Sequence, residues 1–569
     1  MAQHVVVIGG VALGPKAACR FKRLEPGSRV TMIDQSDVIS YGGCGIPYYV
    51  SGDVSDEVQL RTTSFHMERS PEFFKAVKDI DVRTLTRATS IDRDRKQVHI
   101  RNVVTGETDV LDYDKLVIAT GATPRKLGLP GEDLDGVSYV STPHDAVRIR
   151  ERVTRGEVGS AVIVGAGFIG LEMAEAFADM WGIDTTVVEI TGQIMPRLVS
   201  PAMAQMGQHH MEEQGVQFHF GETVERIEGE DGKVTRVVTS KRTLDADVVI
   251  IAAGVVPSSD LAREAGLNVH DRGGVFVDEH MRTSDPDIYA GGDCAIIRHL
   301  ITDKPFFLPL GSMANRQGRV IGNNLAGENA TFDGATGSFV VKMFETSMAG
   351  SGLSLDAAKD AGFDAFSVLL TQMDRAHFYP TKDLMTLELV VEKPTRRVLG
   401  IQGFGTSGDA TVGRINAVAA LLKFHATIDD IANMEFAYSP PFASAMDIVN
   451  TLGNLADNVL RGINRGMGPD GFVELWNNRD ADDCFFLDCR ELPNAEPCME
   501  RNPGRWHNVP QGEIYQRLDE IPRDKRIVLV CNTGARSYEA QIMLDASGYD
   551  DVVNVQGGMA ALKKYGVEI

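Results

Sequence analysis

Short apolar runs that end at a glycine or an acid recur along the first half of the chain. His4 to Ile8 leads into residues 9–14 (GGVALG), a helical pattern continues to about Leu24, and Arg29 to Ile33 ends at Asp34. Brief β-branched runs bounded by turn residues predict buried strands of a parallel sheet. The order of strand, glycine turn, helix, strand and acid is typical of a dinucleotide-binding unit, whose glycines let the backbone approach a pyrophosphate.

A second copy of this order begins at Ala161. The run Ala161 to Val164 leads into residues 165–170 (GAGFIG), a helix is predicted from Leu171 to Met180, and the strand Thr185 to Val188 ends at Glu189. An acid at the end of the second strand favours NADH, because it repels the 2′-phosphate of NADPH. Two complete units in one chain predict two dinucleotide sites.

Two further segments fit the same α/β class. Residues 116–122 (LVIATGA) predict a strand and a turn where the chain leaves the first unit, and residues 288–294 (IYAGGDC) predict its return. We therefore expect two Rossmann-like domains, with the second inserted into the first.

The composition is that of a globular protein with several domains. The 569 residues are enough for three or four domains, and a net charge of −22 argues against a broad nucleic-acid surface. No apolar run reaches the roughly 20 residues that span a bilayer. Residues 1–10 lead directly into a strand without a secretory signal. We expect a cytoplasmic protein with no membrane or nucleic-acid partner and no metal.

The order of first unit, second unit and returning segment resembles the pyridine nucleotide-disulfide oxidoreductase superfamily over about residues 1–455. The resemblance implies an FAD-binding domain in two parts, 1–116 and 256–334, around an NAD-binding insert, 117–255. It also implies an α+β dimerisation domain at 335–455, and hence a homodimer. The residues that it implies for binding FAD and NADH are Gly9, Gly10, Gly14, Asp34, Ser40, Thr120, Gly121, Gly165, Gly167, Gly170, Glu189, Gly254 and Asp293.

Cys44 stands alone in residues 40–49 (SYGGCGIPYY). Many flavin disulfide reductases place a second cysteine five positions later, where this chain has Tyr49. A single cysteine beside a flavin cycles as a mixed disulfide, a persulfide or a sulfenic acid. Ser40, Cys44 and Tyr49 together resemble the coenzyme A-disulfide reductases and their NADH oxidase and persulfide reductase relatives.

Further candidate residues follow from this resemblance. Arg20 and Arg23 lie one helical turn apart and share a face, which in the family contacts coenzyme A together with Tyr49. The family counterparts of Tyr379 and Tyr438 reach into the active site of the partner subunit, where a hydroxyl hydrogen-bonds sulfur or donates a proton. The alternative is that these tyrosines only pack an interface, in which Tyr is common.

A domain-sized unit, which we place at 471–569, follows a predicted linker at 456–470. Arg526 to Val530 predicts a buried strand that ends in residues 531–537 (CNTGARS), and a predicted helix follows. A cysteine between a strand and a helix resembles a rhodanese domain with an α/β fold. Loop N–H groups and the helix N-terminus then stabilise a thiolate or persulfide at Cys531, and Arg536 orients the sulfur donor.

The segment before this loop departs from the common rhodanese pattern. Residues 488–490 (DCR) match the usual Asp-x-Arg start, but residues 493–509 replace a common run and are expected to reshape the donor pocket. Cys498 in that segment is a bystander on one interpretation and a resolving thiol on the other.

Our interpretation is an FAD-dependent enzyme that uses NADH to reduce persulfides or polysulfides at Cys44, with Cys531 relaying sulfane sulfur. Coenzyme A is the expected thiol carrier, and glutathione or inorganic polysulfide stays open. Three alternatives remain: a coenzyme A-disulfide reductase, an NADH oxidase or peroxidase with a Cys44 sulfenic acid, and a sulfurtransferase or sulfur carrier.

Overall fold

The computed structural model describes residues 2–406, 408–481 and 483–569. The chain divides into two compact units, Met1–Ile190 with Gly221–Ala335 and Thr191–Phe220 with Thr336–Ile569.

Strands and helices alternate along residues 1–190. Their bounds are β1 (His4–Ile8), α1 (Leu13–Leu24), β2 (Arg29–Ile33), α2 (Ile46–Ser51), α3 (Pro71–Lys78), β3 (Asp81–Arg83), β4 (Thr86–Asp92), β5 (Gln97–Asn102), β6 (Thr108–Asp112), β7 (Lys115–Ile118), β8 (Ala122–Pro124), β9 (Val137–Ser138), α4 (Pro143–Thr154), β10 (Ser160–Val164), α5 (Phe168–Ala178) and β11 (Asp184–Glu189).

Residues 191–335 continue both units. Their elements are α6 (Pro201–Glu213), β12 (Gln217–Phe220), β13 (Val224–Glu230), β14 (Lys233–Thr239), β15 (Thr243–Asp245), β16 (Val248–Ile251), β17 (Val255–Pro257), α7 (Asp260–Glu264), β18 (Val275–Phe276), β19 (Ile288–Ala290), β20 (Ala295–Arg298), β21 (Pro305–Phe306) and α8 (Gly311–Leu325).

Residues 336–569 contain the rest of the second unit. Its elements are β22 (Phe339–Met343), β23 (Thr346–Gly352), α9 (Leu355–Asp360), β24 (Ala365–Met373), β25 (Leu384–Glu392), β26 (Val398–Gly405), α10 (Gly408–Leu422), α11 (Ile428–Ala432), α12 (Ile448–Leu460), β27 (Gly466–Met467), α13 (Pro469–Asn477), β28 (Cys484–Asp488), α14 (Leu492–Arg501), β29 (Trp506–Asn508), β30 (Arg526–Val530), α15 (Ala535–Ala546), β31 (Val552–Val555) and α16 (Gly558–Lys564).

The first unit contains two parallel sheets, and the prediction of two α/β domains is confirmed. One sheet has the order β19-β7-β1-β2-β3, and the other contains β11, β10, β16 and β9 as neighbours. β1 is buried on both faces, because Val5 and Val7 enter one core cluster and Val6 and Ile8 enter another. A strand covered on both faces therefore appears in the sequence as a continuous apolar run. The predicted boundary after residue 116 divides β7, which pairs with β1 and β19 along its length.

The second unit combines an antiparallel and a parallel sheet. The antiparallel sheet has the order β22-β23-β26-β25-β24, and the parallel sheet has the order β27-β31-β30-β28-β29. The expected linker at 456–470 contains regular structure, because α12 continues to Leu460 and β27 already pairs with β31 of the parallel sheet. Asn464 and Arg465 also bind the last domain, through the Asn554 amide and the Val552 carbonyl. Within the described residues, no helix combines the length and the apolar character needed to cross a membrane.

Candidate functional site

The first glycine turn brings the backbone of β1 against the start of α1. Gly9 has a φ of +113°, and a Cβ there would lie 2.1 Å from the Ala119 carbonyl oxygen. A Cβ on Gly14 would lie 1.9 Å from the Gly9 oxygen, so only glycine fits at either position. The Gly10 N–H donates to the Asp34 carboxylate at 2.7 Å, and burial raises the pKa of Asp34 above its ordinary value.

The second glycine turn repeats this geometry. Gly165 has a φ of +108°, and a Cβ on Gly170 would lie 2.0 Å from the Gly165 oxygen. The Ala166 N–H donates to Glu189 at 2.9 Å, which is the counterpart of the Gly10 contact with Asp34. Gly167 precedes α5, and no atom beyond its chain neighbours lies within 4 Å of where its Cβ would be. The acid at the end of β11 therefore faces the turn, as a ribose-binding carboxylate requires.

The remaining predicted cofactor residues lie at three other places in the first unit. Thr120 Oγ1 donates to the Ser258 carbonyl at 2.5 Å, beside the short β8–β17 pair. Gly121 and Gly254 flank that pair, with φ of +66° and +89°. Ser40 is buried, and its N–H donates to the Gly10 carbonyl at 2.8 Å, next to the first turn.

Asp293 lies in a short 3-10 helix just after β19. Burial alone raises the pKa of this carboxyl to about 6. A half-buried carboxylate with a raised pKa fits a contact with ligand hydroxyls, as the ribityl chain of FAD would supply. Together with the two close-approach turns, the residues present fit one FAD and one nicotinamide nucleotide.

Cys44 is exposed and lies in the 3-10 helix Gly43–Gly45 that precedes α2. The protein around the sulfur removes water and raises the pKa of the Cys44 thiol above its ordinary value, and the Glu172 carboxylate raises it further. The Asp293 carboxylate also raises the pKa of the Cys44 thiol. The N–H of Gly311, the first residue of α8, hydrogen-bonds the sulfur and opposes the rise. The structure therefore brings Cys44 and Asp293, both predicted from sequence, into one cluster.

Tyr48 and Glu172 belong to this cluster and were missed by the sequence analysis. The Tyr48 hydroxyl donates to Glu172 at 3.4 Å. Burial raises the pKa of Glu172 to about 7, and burial and Glu172 raise the pKa of Tyr48 well above its ordinary value. One signal was available, because Cys44 and Tyr48 lie four positions apart at the start of a helix and so share a face.

Tyr49, the residue chosen from sequence, faces a different neighbour. The Arg150 guanidinium lies 4.4 Å from the centre of the Tyr49 ring. Arg150 also donates to the carbonyls of Tyr49 and Val54 at 2.9 and 2.8 Å. The side chain of Tyr49 thus packs against α4 as a cation–π pair.

The two candidate coenzyme A residues of α1 differ in their surroundings. Arg20 packs against α8, where its Nε donates to Asn323 at 2.5 Å and its Nη2 lies 3.9 Å from Glu328. Arg23, one turn further, is exposed. The shared face predicted from sequence therefore carries one guanidinium engaged by the protein and one directed to solvent.

The two candidate tyrosines lie on neighbouring segments of the second unit. Tyr379 is half-buried and Tyr438 is 51% exposed. The Ala376 N–H donates to the Pro440 carbonyl at 3.3 Å, which joins the two segments. A buried pair, Arg414 with Asp447 at 2.8 Å, lies beneath them, and Arg414 also donates to the carbonyls of Asp374 and Phe442.

Cys531 lies directly after β30 and is 1% exposed. The Gly534 N–H donates to its sulfur at 3.2 Å, and Ser537 Oγ lies 3.5 Å from the same atom. Gly534 has a φ of +102° and is the N-cap of α15. Arg536 is half-buried and acts electrostatically on Cys489, which lies in the same core cluster as Cys531. The loop thus directs an N–H donor at the sulfur, as an anion cradle does.

Asp488 and Arg490 of the Asp-x-Arg segment form a buried ion pair, and Cys489 between them packs in the core cluster of Cys531. Arg490 donates to Asp488 at 2.9 and 2.6 Å, and Trp506 Nε1 donates to the same carboxylate at 3.1 Å. Asp488 is completely buried, and Arg490 is 8% exposed. Between these residues, Cys489 has a pKa well above its ordinary value because of burial.

Most of the segment 493–509 lies away from Cys531, but its last residue, Val509, packs in the same core cluster as Cys531, so its effect on the donor pocket stays a prediction. Arg505 and His507 line a cavity of about 370 Å³ with Cys484, at the N-terminal end of β28, whereas Cys531 follows the C-terminal end of the adjacent β30. Cys498 packs with Val528 and Val530 on one face of the sheet, and Cys531 packs with Leu529 on the other. The position of Cys498 fits the bystander interpretation.

Three family models match consecutive parts of the chain. The model described as pyridine nucleotide-disulphide oxidoreductase matches residues 3–318, and the dimerisation domain of the same family matches residues 338–449. A rhodanese-like domain matches residues 472–565.

Known proteins are similar over most of their length. A curated relative named NAD(P)H sulfur oxidoreductase (CoA-dependent), from Pyrococcus abyssi, is 35% identical over 443 residues, which is 78% of this chain and 96% of the relative. The solved structure of an NAD-dependent persulfide reductase from A. fulgidus matches with a TM-score of 0.92 and 40% identity, over 98% of this chain and 99% of that chain. Reduced CoADR-RHD from Bacillus anthracis matches with a TM-score of 0.89 and 31% identity, over 99% of this chain and 98% of that chain.

Proposed function

This chain belongs to the pyridine nucleotide-disulphide oxidoreductase family, and we propose that it uses NADH to reduce persulfides, above all coenzyme A persulfide, with release of sulfide. One observation carries the proposal. The chain joins an exposed cysteine, Cys44, beside the half-buried Asp293 to a rhodanese-like domain whose loop directs an N–H at Cys531. A reductase site and a sulfane-sulfur site in one chain fit a substrate that carries sulfane sulfur. The names of the similar proteins support the same substrate class.

The family is FAD-dependent and uses NAD(P)H. The residues that would hold FAD are the first glycine turn with Asp34, Ser40 and Asp293, and those for the nicotinamide nucleotide are the second turn with Glu189. When bound, FAD supplies a route for an electron pair from the nicotinamide to sulfur at Cys44. The carboxylate of Glu189, bonded to the Ala166 N–H, favours NADH over NADPH because a 2′-phosphate would meet its charge.

Cys44 performs the sulfur chemistry of the reductase. Its thiolate attacks the thiol-side sulfur of a persulfide RSS⁻, which forms a Cys44–S–S–R mixed disulfide and releases sulfide. Reduction by two electrons then breaks that disulfide and returns the Cys44 thiolate and RS⁻. The sum is RSS⁻ + NADH → RS⁻ + HS⁻ + NAD⁺. Glu172, with a pKa of about 7, can hold a proton beside these sulfur atoms at neutral pH.

Cys531 supplies the sulfane sulfur. Its thiolate attacks the outer sulfur of a donor RSS⁻, which forms a Cys531 persulfide and releases RS⁻. A free thiol carrier such as coenzyme A then takes the sulfur to Cys44 as its own persulfide. The Gly534 N–H, 3.2 Å from the Cys531 sulfur, is placed to stabilise the charge on that sulfur in each step.

We propose that the enzyme is a homodimer in which Tyr379 and Tyr438 bind the substrate at the partner subunit's site. The support is the dimerisation-domain match at residues 338–449 and the exposed aromatic side chains on the same segments, Phe378 at 64% and Phe442 at 74%. Arg20 and Arg23 of α1 are the proposed contacts for the coenzyme A phosphates. Apolar side chains this exposed are typical of a surface covered by a partner or ligand.

The test is the amount of sulfide released per NADH consumed, measured without oxygen, with coenzyme A persulfide as substrate. We expect a ratio near one that is lost in Cys44→Ser. NADH consumption with coenzyme A disulfide or oxygen, and none with the persulfide, would instead make the protein a disulfide reductase or an NADH oxidase. Thiocyanate formation with no NADH-dependent reaction would make it a sulfurtransferase.

A further inference from the structure

Residues 556–560 lie between the antiparallel sheet of the second unit and the Cys531 loop. Gln556 is 7% exposed, and its side-chain oxygen accepts the N–H of Leu369 at 2.9 Å. Leu369 belongs to β24, the edge strand of the antiparallel sheet. The Gln556 amide thus occupies a hydrogen-bonding position that a further strand would otherwise take.

The same segment also hydrogen-bonds the backbone of the Cys531 loop. The Met559 N–H donates to the Cys531 carbonyl at 2.8 Å, and the Ala560 N–H donates to the Asn532 carbonyl at 2.9 Å. These two bonds fix the first two carbonyls of the loop that carries the nucleophile. A shift of residues 556–560 would therefore move the Cys531 backbone directly.

Two glycines let the segment fit between its two neighbours. Gly557 has a φ of +74°, and a Cβ there would lie 2.9 Å from both Leu369 Cδ2 and Thr371 Oγ1 of β24. Gly558 has a φ of +55°, and a Cβ there would lie 2.3 Å from the Cys531 carbonyl oxygen. Gly557, which contacts β24, and Gly558, which contacts the Cys531 loop, are thus adjacent in the chain. Neither has a side chain that could adjust if the sheet moved relative to the loop.

Lys564, at the far end of α16, forms a second contact with the antiparallel sheet. Its Nζ donates to the Leu384 carbonyl at 2.7 Å, and burial lowers the pKa of its ammonium to about 8. This contact joins the same two parts of the unit as Gln556 does, but it lies at the opposite end of the helix from the Cys531 loop. Lys564 therefore offers a matched comparison for Gln556.

We infer that Gln556 is a positioning residue for sulfur transfer: its bond to β24 holds residues 556–560, and through them the Cys531 loop, in the conformation that accepts sulfane sulfur. The inference rests on the proposed role of Cys531. If this inference holds, the rhodanese-like domain is fixed against the antiparallel sheet of the dimerisation domain and does not move on a flexible linker.

The test uses full-length, FAD-loaded protein in the thiosulfate and cyanide assay. The Cys531 thiolate takes the outer sulfur of thiosulfate and releases sulfite, and cyanide then removes that sulfur as thiocyanate. Gln556→Met keeps the length of the side chain and removes the acceptor oxygen. We expect its kcat to fall about tenfold with little change in the KM for thiosulfate, since misplacing a nucleophile costs rate more than binding. Lys564→Met should keep kcat within about twofold.

A second variant removes the same bond from the other side. Leu369→Pro deletes the N–H on an edge strand, where proline is tolerated, and leaves the rhodanese-like domain unchanged in sequence. It should reproduce the loss in kcat, and it keeps the test valid if Gln556→Met fails to fold. Equal losses in Gln556→Met and Lys564→Met, or a kcat within about twofold of wild type in both bond-deleting variants, would overturn the inference. If the wild-type protein forms no thiocyanate in this assay, the result contradicts the proposed role of Cys531, on which the inference rests.

Discussion

Cys44 and Cys531 occupy contrasting surroundings in the two units. Cys44 is exposed, and the charged groups that act on its sulfur, Glu172 and Asp293, are acidic. Cys531 is 1% exposed, receives the Gly534 N–H, and lies in a loop that also carries Arg536. The first sulfur is accessible to a large substrate, and two carboxylates oppose negative charge on it despite the Gly311 N–H, whereas the second sulfur receives the Gly534 N–H but has little access.

This contrast indicates a division of labour. An open thiol near carboxylates suits a step in which electrons arrive from a cofactor and both products leave as anions. A buried thiol in an anion cradle suits the storage of a terminal persulfide, which oxygen and stray thiols would otherwise attack. We therefore expect changes at one sulfur to leave the chemistry at the other intact.

The largest expected effect separates the two cysteines directly. Cys44→Ser should lower NADH-dependent sulfide release by roughly 10³-fold or more, because the sulfur nucleophile is gone. Thiocyanate formation from thiosulfate should stay within about twofold. Cys531→Ser should show the reverse pattern, with reduction of added coenzyme A persulfide kept within about threefold. Loss of both activities in either variant would contradict the division.

A change at the first glycine turn should affect only the reductase. Gly9→Ala places a Cβ 2.1 Å from the Ala119 oxygen at a φ of +113°, so the turn must open. We expect the purified protein to lose most of its flavin absorbance and its NADH activity, while sulfur transfer at Cys531 persists. Gly106→Ala is the matched control, because Gly106 also has a positive φ, +77°, but has open space around it. Full flavin content in Gly9→Ala would show that the turn does not approach the cofactor.

A smaller effect concerns the charge beside Cys44. Glu172 has a pKa of about 7, so its carboxylate forms as the pH rises through 7 and then opposes the Cys44 thiolate. Glu172→Gln stays neutral, so the pKa of Cys44 should fall and its alkylation rate at pH 8 should rise about 3- to 10-fold. The difference from wild type should shrink below pH 7, where Glu172 is protonated.

Glu175→Gln controls for the loss of a carboxylate from the same helix. Glu175 lies one turn from Glu172 on α5, and its charge acts on Glu172 and Tyr48. Its removal should change Cys44 alkylation less than removal of Glu172 does. The same rate increase in both variants would show that Glu172 has no special relation to Cys44.

The smallest expected effect concerns the hydroxyl beside Cys531. Ser537 Oγ lies 3.5 Å from the Cys531 sulfur and donates to the Gly534 carbonyl at 3.0 Å. Ser537→Ala removes one polar neighbour and keeps the Gly534 N–H, so sulfur transfer should fall about two- to fivefold. The thiosulfate and cyanide assay measures this, and NADH-dependent reduction of coenzyme A persulfide should not change.

Much of the fold could be predicted because strands buried on both faces are continuous apolar runs with sharp ends. The predicted bounds of β1, β2 and β30 agree with the structure residue for residue. The glycine turns were equally clear, since positive φ and close backbone contacts admit only glycine at Gly9 and Gly165. The hydrophobic pattern of a strand and the backbone sterics of a glycine turn depend on neighbouring residues, so they can be predicted directly from the sequence.

The surroundings of Cys44 could not be predicted in the same way. Spacing in the family pattern led to Tyr49, but the turn of α2 directs Tyr48 towards Glu172 and places Tyr49 against Arg150. Glu172 lies on a helix 128 positions after Cys44 in the chain, and no local pattern marks a half-buried carboxyl on α5. The contact of Gln556 with β24 is likewise a long-range pairing between two domains.

The regular structure within residues 456–470, which lie between the two matched family domains, escaped prediction for a related reason. Residues 456–470 have little apolar character, yet α12 extends into them and β27 joins the parallel sheet at Gly466. Polar side chains such as Arg465 bind the last domain by hydrogen bonds and an ion pair with Asp545. The pattern of hydrophobic residues does not predict such polar contacts between side chains and a neighbouring domain.

The most direct test of the account is a single turnover of sulfur already bound at Cys531. Enzyme loaded with one sulfane sulfur, freed of donor and kept without oxygen, is mixed with NADH and coenzyme A. We predict one sulfide per Cys531 persulfide and one NADH oxidised, with no release without coenzyme A or in Cys44→Ser. A Cys531 persulfide that survives NADH and coenzyme A, as seen by mass spectrometry of the Cys531 peptide, would contradict transfer from the rhodanese-like domain to the reductase site.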